Sequence, residues 1–215
     1  MRFAGWIPLS MVAITFARCC APLLLWSTFG NACAQEIAPD LDRINAAFRR
    51  AIDDEAAETG RNSASPLSAA LLDSMKVTAV SGCQPLDRDV TDCIVRIETM
   101  MRDGFRNVRL RREGSQWRMV REPDLAPPQP TLARAQVLLR EHLLLAGAKV
   151  TDAQRAAEYR DFAAGLRLTE LASCDLDRDS GALECTARFE APGADNASQP
   201  VRFELRGSDW VLLPE

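Results

Sequence analysis

The 215-residue sequence is poor in the side chains that most catalysis uses. It has one histidine, one tyrosine and, among 26 basic residues, only two lysines, Lys76 and Lys149. The histidine, His142, sits in the leucine-rich segment 138–145. One imidazole without a paired nucleophile is poor material for acyl transfer, and it reads as a helix-surface residue. Ser81, Ser173 and Ser208 fall in strand or turn contexts rather than on a nucleophile elbow, and no glycine-rich phosphate loop follows a strand. Positive charge is not in excess either. A net charge of −4 excludes the basic stripe that non-specific nucleic-acid binding needs to displace counterions. The scarcity of lysine beside abundant arginine points to a GC-rich bacterial genome and says nothing of mechanism.

The N-terminus carries an export signature. Arg18 closes a positive region, Cys19–Phe29 is an apolar stretch, and Ala32-Cys33-Ala34 forms a small-x-small cleavage site before Gln35. The positive region is long and itself apolar, so translation from Met11 would give a more ordinary signal. Arg18 keeps the apolar run short of the ~20 residues that span a bilayer. Lipid attachment at Cys33 is the weaker alternative, because Gly30 and Asn31 are poor residues for it. Residues 1–34 are therefore expected to be a signal peptide and the mature chain to be periplasmic, without a membrane anchor. Losing Arg2 and Arg18 with that segment takes the basic residues from 26 to 24 against 30 acidic ones, a net −6.

What remains is a duplication. Lys76-Val77-Thr78-Ala79-Val80-Ser81-Gly82-Cys83 aligns with Arg167-Leu168-Thr169-Glu170-Leu171-Ala172-Ser173-Cys174. An Asp-Arg-Asp turn follows each, at 87–89 and 177–179. The strands opened by Cys93 and Cys185 match, and Gly114-Ser115-Gln116-Trp117 mirrors Gly207-Ser208-Asp209-Trp210. Two units of one design in tandem are implied. Of seven cysteines, four remain after cleavage and admit three pairings. The repeat selects Cys83–Cys93 and Cys174–Cys185, each inside its own unit. A zinc site fails on spacing, since neither pair has the two-to-four-residue gap of a metal knuckle. Disulfides imply an oxidising compartment.

Pro123–Pro130 holds four prolines in eight residues, a semi-rigid linker between a first repeat, 35–122, and a second, 131–215. Asp40 can cap a helix with Leu41, Ile44, Phe48 and Ile52 on one face; Ser65-Pro66 starts a shorter one. In the second repeat Pro130-Thr131 begins a helix with Leu132, Ala135, Leu138 and Leu139, and Thr151-Asp152-Ala153-Gln154 reads as a capping box for another that ends near Gly165. The period then changes to two, as in Val201-Arg202-Phe203-Glu204-Leu205-Arg206. Each unit thus predicts two helices on one face of a four-stranded antiparallel meander, an α+β fold. Val95, Ile97, Val108, Leu110, Phe189, Phe203 and Leu205 should face the helices, and Arg96, Glu98, Arg109 and Arg111 the solvent. Units of this size bury proportionately little surface, so the two copies are expected to pack on each other.

Helices followed by a curled four-stranded sheet, with a Cys…Cys hairpin and a Gly-x-x-Trp final strand, resemble the cystatin-like and NTF2-like α+β superfamily. The resemblance spans each copy and implies a fold shared by inhibitors, binding modules and enzymes such as ketosteroid isomerases. An isomerase-like pocket needs a buried acid and a phenol or second acid in an apolar cavity. The single tyrosine, Tyr159, and the aliphatic inward positions argue against one. Asp175, Asp177 and Asp179 alternate as in a calcium loop, but Gly181 comes one place late and Thr186 stands where the bidentate acid belongs. Solvated hairpin tips are expected, and no metal or cofactor.

One surface remains for function, the outward sheet face bearing Arg96, Arg106, Arg109, Arg111, Arg118, Arg188 and Arg202. Cross-strand charge pairing would account for it; a cationic platform for a protein partner in the periplasm is the functional expectation. The chain therefore reads as an exported, non-catalytic recognition protein, of inhibitor or immunity type or an envelope accessory factor. A small-ligand or isomerase-like pocket is the alternative.

Overall fold

A computed structural model describes residues 38–58 and 66–214, excluding the side chains of 66–69 and 195. The expected signal peptide lies outside the described residues. The first repeat runs α1 (Leu41–Glu58), α2 (Pro66–Ser74), β1 (Lys76–Pro85), β2 (Val90–Glu98), β3 (Asp103–Glu113) and β4 (Gln116–Val120). The second runs α3 (Leu132–Ala148), α4 (Ala153–Gly165), β5 (Arg167–Leu176), β6 (Leu183–Ala191), β7 (Ala194–Arg206) and β8 (Asp209–Leu213). Each repeat is an α+β unit whose four strands form an antiparallel meander in sequence order.

The sheets curl around their first helices. α1 packs on both β1 and β4, the opposite edges of its sheet, and α3 likewise on β5 and β8. Bulges help, because an extra residue on one strand increases the local twist. β1 bulges at Thr78 and β5 at Thr169. Each bulged threonine donates its hydroxyl to the strand opposite, Thr78 to the Arg96 carbonyl at 3.4 Å and Thr169 to that of Arg188 at 3.0 Å.

The duplication extends into the helices at the same 91-residue offset, although little identity survives there. Asp40 Oδ1 accepts from the Arg43 amide at 2.8 Å, and Thr131 Oγ1 from the Arg134 amide at 3.2 Å, so each caps its helix. Asn45 Oδ1 accepts from the Val77 amide at 2.9 Å; Gln136 Oε1 accepts from the Leu168 amide at 2.9 Å. Arg49 and Arg140 each reach across to a backbone carbonyl at the end of the second helix, Asp73 and Leu166. For α4 the expected capping box resolves to Asp152, whose Oδ1 accepts from the Arg155 amide at 2.8 Å.

Two cores result. Ile44, Ala47 and Phe48 of α1 meet Val77, Cys83, Cys93, Val95, Val108, Leu110 and Trp117. Ala135 and Leu138 of α3 meet Leu166, Leu168, Leu183, Phe189, Val201, Phe203, Leu205 and Trp210. Each large apolar side chain so buried contributes roughly 1.5–3 kcal/mol relative to exposure. The disulfides form as expected, Cys83–Cys93 and Cys174–Cys185, with Cα atoms 4.0 and 4.1 Å apart. Two such bridges indicate an oxidising, extracytoplasmic location. Among the described residues no helix is long and apolar enough to cross a membrane.

The two repeats belong to one compact unit, and the outward face of the first sheet is not a free wet surface. The second repeat clasps it at both edges. At the β1 edge, Gly207 bridges in parallel with Gly82: its amide donates to the Ser81 carbonyl at 3.0 Å, and its carbonyl accepts from the Cys83 amide. A Cβ at Gly82 would lie 2.6 Å from that carbonyl and 2.7 Å from Leu205 Cγ, so only glycine admits the approach. At the other edge, beyond the end of β4, the Phe105 amide donates to the Arg178 carbonyl at 2.7 Å. Between the edges Ile94, fully buried, joins the second core, and Trp210 Nε1 donates to Gln84 Oε1 at 3.1 Å. The linker is held too, with Pro128 and Pro130 buried and the Leu125 carbonyl accepting from Asn107 Nδ2 at 2.7 Å.

Candidate functional site

The outward arginines arise from strict alternation in β2, β3, β6 and β7, which puts every second side chain on one surface. Most are spent on neighbours. Arg96 is paired with the Asp103 carboxylate and lies 5.9 Å from the Phe105 ring centroid. The guanidinium beside Asp103 holds its carboxyl below the usual range. Arg109 makes a bidentate pair with Asp92 at 2.7 and 2.9 Å and a third bond to Glu122 at 2.7 Å. The hydrogen bonds Arg109 donates to Asp92 raise its affinity for its proton. Arg188 pairs with Glu170 at 2.8 Å, and Arg202 with Glu184 at 3.1 Å and Asp177 at 3.5 Å. Arg118 is engaged by Glu113 at 3.0 Å and Asp54 at 3.5 Å. Arg111, opposite Arg118 across the strands, is exposed.

Arg106 does not share this surface. It stands opposite Val95, a core residue, and so belongs to the helix-side register with Val108 and Leu110. The residue beside it, Phe105, takes the outward position. The expected face of the first sheet is thus narrower in cations than alternation was read to make it, and Ile94 and Asp92 on it are buried.

Asp92 is the residue whose burial sequence reasoning missed. It is 2% exposed, a carboxylate inside the seam between the repeats, beside the Gln84 that receives Trp210. A signal for that burial was available: Cys93-Ile94-Val95 is apolar at three successive positions, and a strand that is apolar without alternation is covered on both faces.

The second acidic hairpin has an exposed tip, as expected, but is also internally bonded and seated on its neighbour. Asp177 Oδ1 accepts from the Asp179 amide at 2.9 Å and Oδ2 from the Ser180 hydroxyl at 2.7 Å, and these bonds hold its carboxyl below the usual range. Asp175 turns to the Leu176 amide at 3.0 Å. Gly181, at φ +75°, packs so closely on Phe105 that a Cβ would lie 2.8 Å from its ring. The second hairpin is therefore a docking element on the first repeat, while Asp87 and Asp89 of the first are exposed. Among the described residues no three His, Cys, Asp or Glu side chains are grouped to hold a metal ion.

A groove of about 490 Å³ lies between α3 and the end of the second sheet, lined by Leu139, His142, Val201, Arg202, Leu212 and Leu213 among others. His142 is exposed there. A groove of about 160 Å³ in the first repeat, between α1 and β4, is polar: Asp54 and Glu58 of the helix meet Arg118 of the strand and Arg121 just beyond it. The core of each repeat is filled by side chains, and the grooves open at its rim. Compared with known protein families, with curated proteins and with solved structures, the chain matches none.

Proposed function

We propose that the chain is an exported recognition protein of the bacterial envelope, resident in the periplasm, that acts through its surface and not through catalysis. An inhibitor or immunity-type protein and an envelope accessory factor are the two concrete forms of that role. What carries it is the use made of the ionisable groups. The buried carboxylate, Asp92, is locked by a bidentate arginine, and the acids of the α1 groove are neutralised by Arg118 and Arg121. A general base for isomerase chemistry needs an acid held free in an apolar cavity. Helices gripped by a curled four-stranded sheet support the likeness to cystatin-like and NTF2-like proteins.

One observation favours the second reading, a small-ligand pocket. The groove beside His142 has the volume of a ligand site and a mainly apolar lining. Affinity capture from an envelope extract followed by mass spectrometry separates the two. Recognition predicts one protein retained in stoichiometric amount, and its loss on Arg111→Glu with Arg188→Glu, both exposed outward cations. Capture of no protein, together with saturable binding of apolar small molecules that His142→Ala or Leu213→Glu abolishes, would establish the pocket instead.

A further inference from the structure

Many arginines in this protein are matched to acids, and three of those that are not stand together at the seam between the repeats. The turn between β2 and β3 is firmly built. Thr99 donates its amide to the Arg102 carbonyl at 2.8 Å and its hydroxyl to the same oxygen at 2.8 Å. The hydroxyl also accepts from the Met101 and Arg102 amides at 3.2 and 3.0 Å, and the Met100 amide donates to Ser74 Oγ at 3.2 Å. The turn therefore fixes two large apolar side chains in solvent: Met100 is 61% exposed and Met101 76%.

Arg102 follows directly in the chain. Arg106 lies four residues on, one of its nitrogens donating to the Phe105 carbonyl at 2.7 Å. The second repeat brings the third cation, because the Arg178 carbonyl accepts from the Phe105 amide. Gly104 makes room for the gathering: a Cβ there would lie 3.0 Å from the Arg178 carbonyl oxygen and 3.4 Å from Arg106 Nη1. Arg106 binds its proton less tightly than an ordinary guanidinium, through desolvation first and then repulsion from Arg178 and Arg102. Among the described residues none of the three is ion-paired, while Arg96 beside them already holds Asp103. Like charges assembled with no acid between them are a standing cost that an external anion removes.

We propose that this seam is a membrane-surface contact, in which Arg102, Arg106 and Arg178 take the phosphates of anionic phospholipids and Met100 and Met101 lie at the headgroup–acyl boundary. Two adjacent methionines held outward beside three guanidiniums match the layered chemistry of a bilayer surface, anionic above and apolar just beneath. An acidic protein would satisfy the charges alone. The overall negative charge of the chain makes the contact local, so the patch sets its orientation on the membrane.

The proposal goes beyond recognition of a protein partner, and each can fail without the other. It is tested by co-sedimentation of the full chain with vesicles of phosphatidylcholine alone or with one third phosphatidylglycerol. The apolar stretch 19–29 is common to every variant and to both vesicles, so it cancels from the comparison. Wild type should bind the anionic vesicles more tightly and be released by salt. Each basic side chain near an anionic surface multiplies partitioning by roughly fivefold, so Arg102→Glu with Arg178→Glu should weaken binding at least about twentyfold. Met100→Ser with Met101→Ser should weaken it several-fold at unchanged charge. All four side chains are exposed, so the variants should keep the fold, which circular dichroism checks. Equal binding of both vesicles by wild type, or wild-type binding by the arginine double variant, would overturn the proposal. So would methionine variants that bind anionic vesicles as wild type does, or retention of poly-glutamate but not of vesicles, which would reassign the patch to an acidic protein.

Discussion

Asp92 and Arg109 face each other across β2 and β3 as a bidentate ion pair, and Glu184 and Arg202 occupy the equivalent rung of β6 and β7. The chemistry is the same and the surroundings are not. Asp92 is sealed in the seam, its side chain 3% exposed, whereas that of Glu184 is 56% exposed. Removing one partner of a buried pair strands a charge and costs ~3–5 kcal/mol, while an exposed pair is worth ~0–1 kcal/mol. Arg109→Met should therefore lower unfolding stability by about 3 kcal/mol and Arg202→Met by about 1 kcal/mol or less. Asp92→Asn added to Arg109→Met should recover much of the loss. Urea midpoints of the three variants decide it, and equal costs at the two rungs would refute the asymmetry.

The parallel bridge at Gly82 and Gly207 fastens the repeats at one edge. Gly82→Ala forces a Cβ against the Gly207 backbone, neither partner of which is a flexible side chain. Overpacking of this kind costs about 1–3 kcal/mol, and here the strain falls on the joint between units rather than within either. Trp117 and Trp210 sit in different cores and report on them separately. Unfolding should be one coincident transition in the parent and two separated ones in Gly82→Ala, followed in variants that retain one of these tryptophans. A single sharp transition in the glycine variant would show that the seam does not couple the repeats.

The disulfides close loops of similar length, with sequence separations of 10 and 11. Each should contribute about 2–3 kcal/mol, by chain-entropy reasoning for a loop of this size. Cys83→Ser with Cys93→Ser removes a bridge that lies wholly in the first core, and Cys174→Ser with Cys185→Ser one whose first sulfur is half-buried. The losses should be comparable if the unfolded chain carries the effect, and larger for the first pair if packing does. Folded protein should take up no maleimide without reductant, and peptide mapping should find no crosslink between the repeats.

Much of this architecture could be read before any coordinates, and the reasons it could are local. Two-residue alternation marked Val108–Arg111 and Val201–Arg206, the repeat alignment and glycine turns supplied the other strands, and the shared Cys…Cys spacing chose one disulfide pairing of three. The helical half of the duplication was not legible, because Asp40 and Thr131, or Asn45 and Gln136, do one job with different side chains. The seam was missed for another reason. A sheet with alternating polar residues reads as wet on that side unless a neighbour is known, and the neighbour here is the other repeat. Arg106 shows the hazard of reading composition ahead of register: it lies three positions before Arg109, an odd offset that puts the two on opposite surfaces.

Asp177 ties the seam to pH. Its carboxylate accepts from the Ser180 hydroxyl and from the backbone of the hairpin that grips Phe105, and these bonds are stronger when it is ionised. They hold its folded pKa below the unfolded value, so the folded form binds fewer protons in acid than the unfolded chain does. Its contribution is complete above about pH 4 and is lost as pH falls through the depressed folded value. Asp177→Asn keeps an acceptor oxygen but cannot titrate. The parent should therefore lose more stability than Asp177→Asn between pH 6 and pH 3, with urea midpoints converging at the acid end. Parallel losses in the two proteins would mean that acid acts elsewhere and that this hairpin is held by Gly181 and Phe105 packing alone.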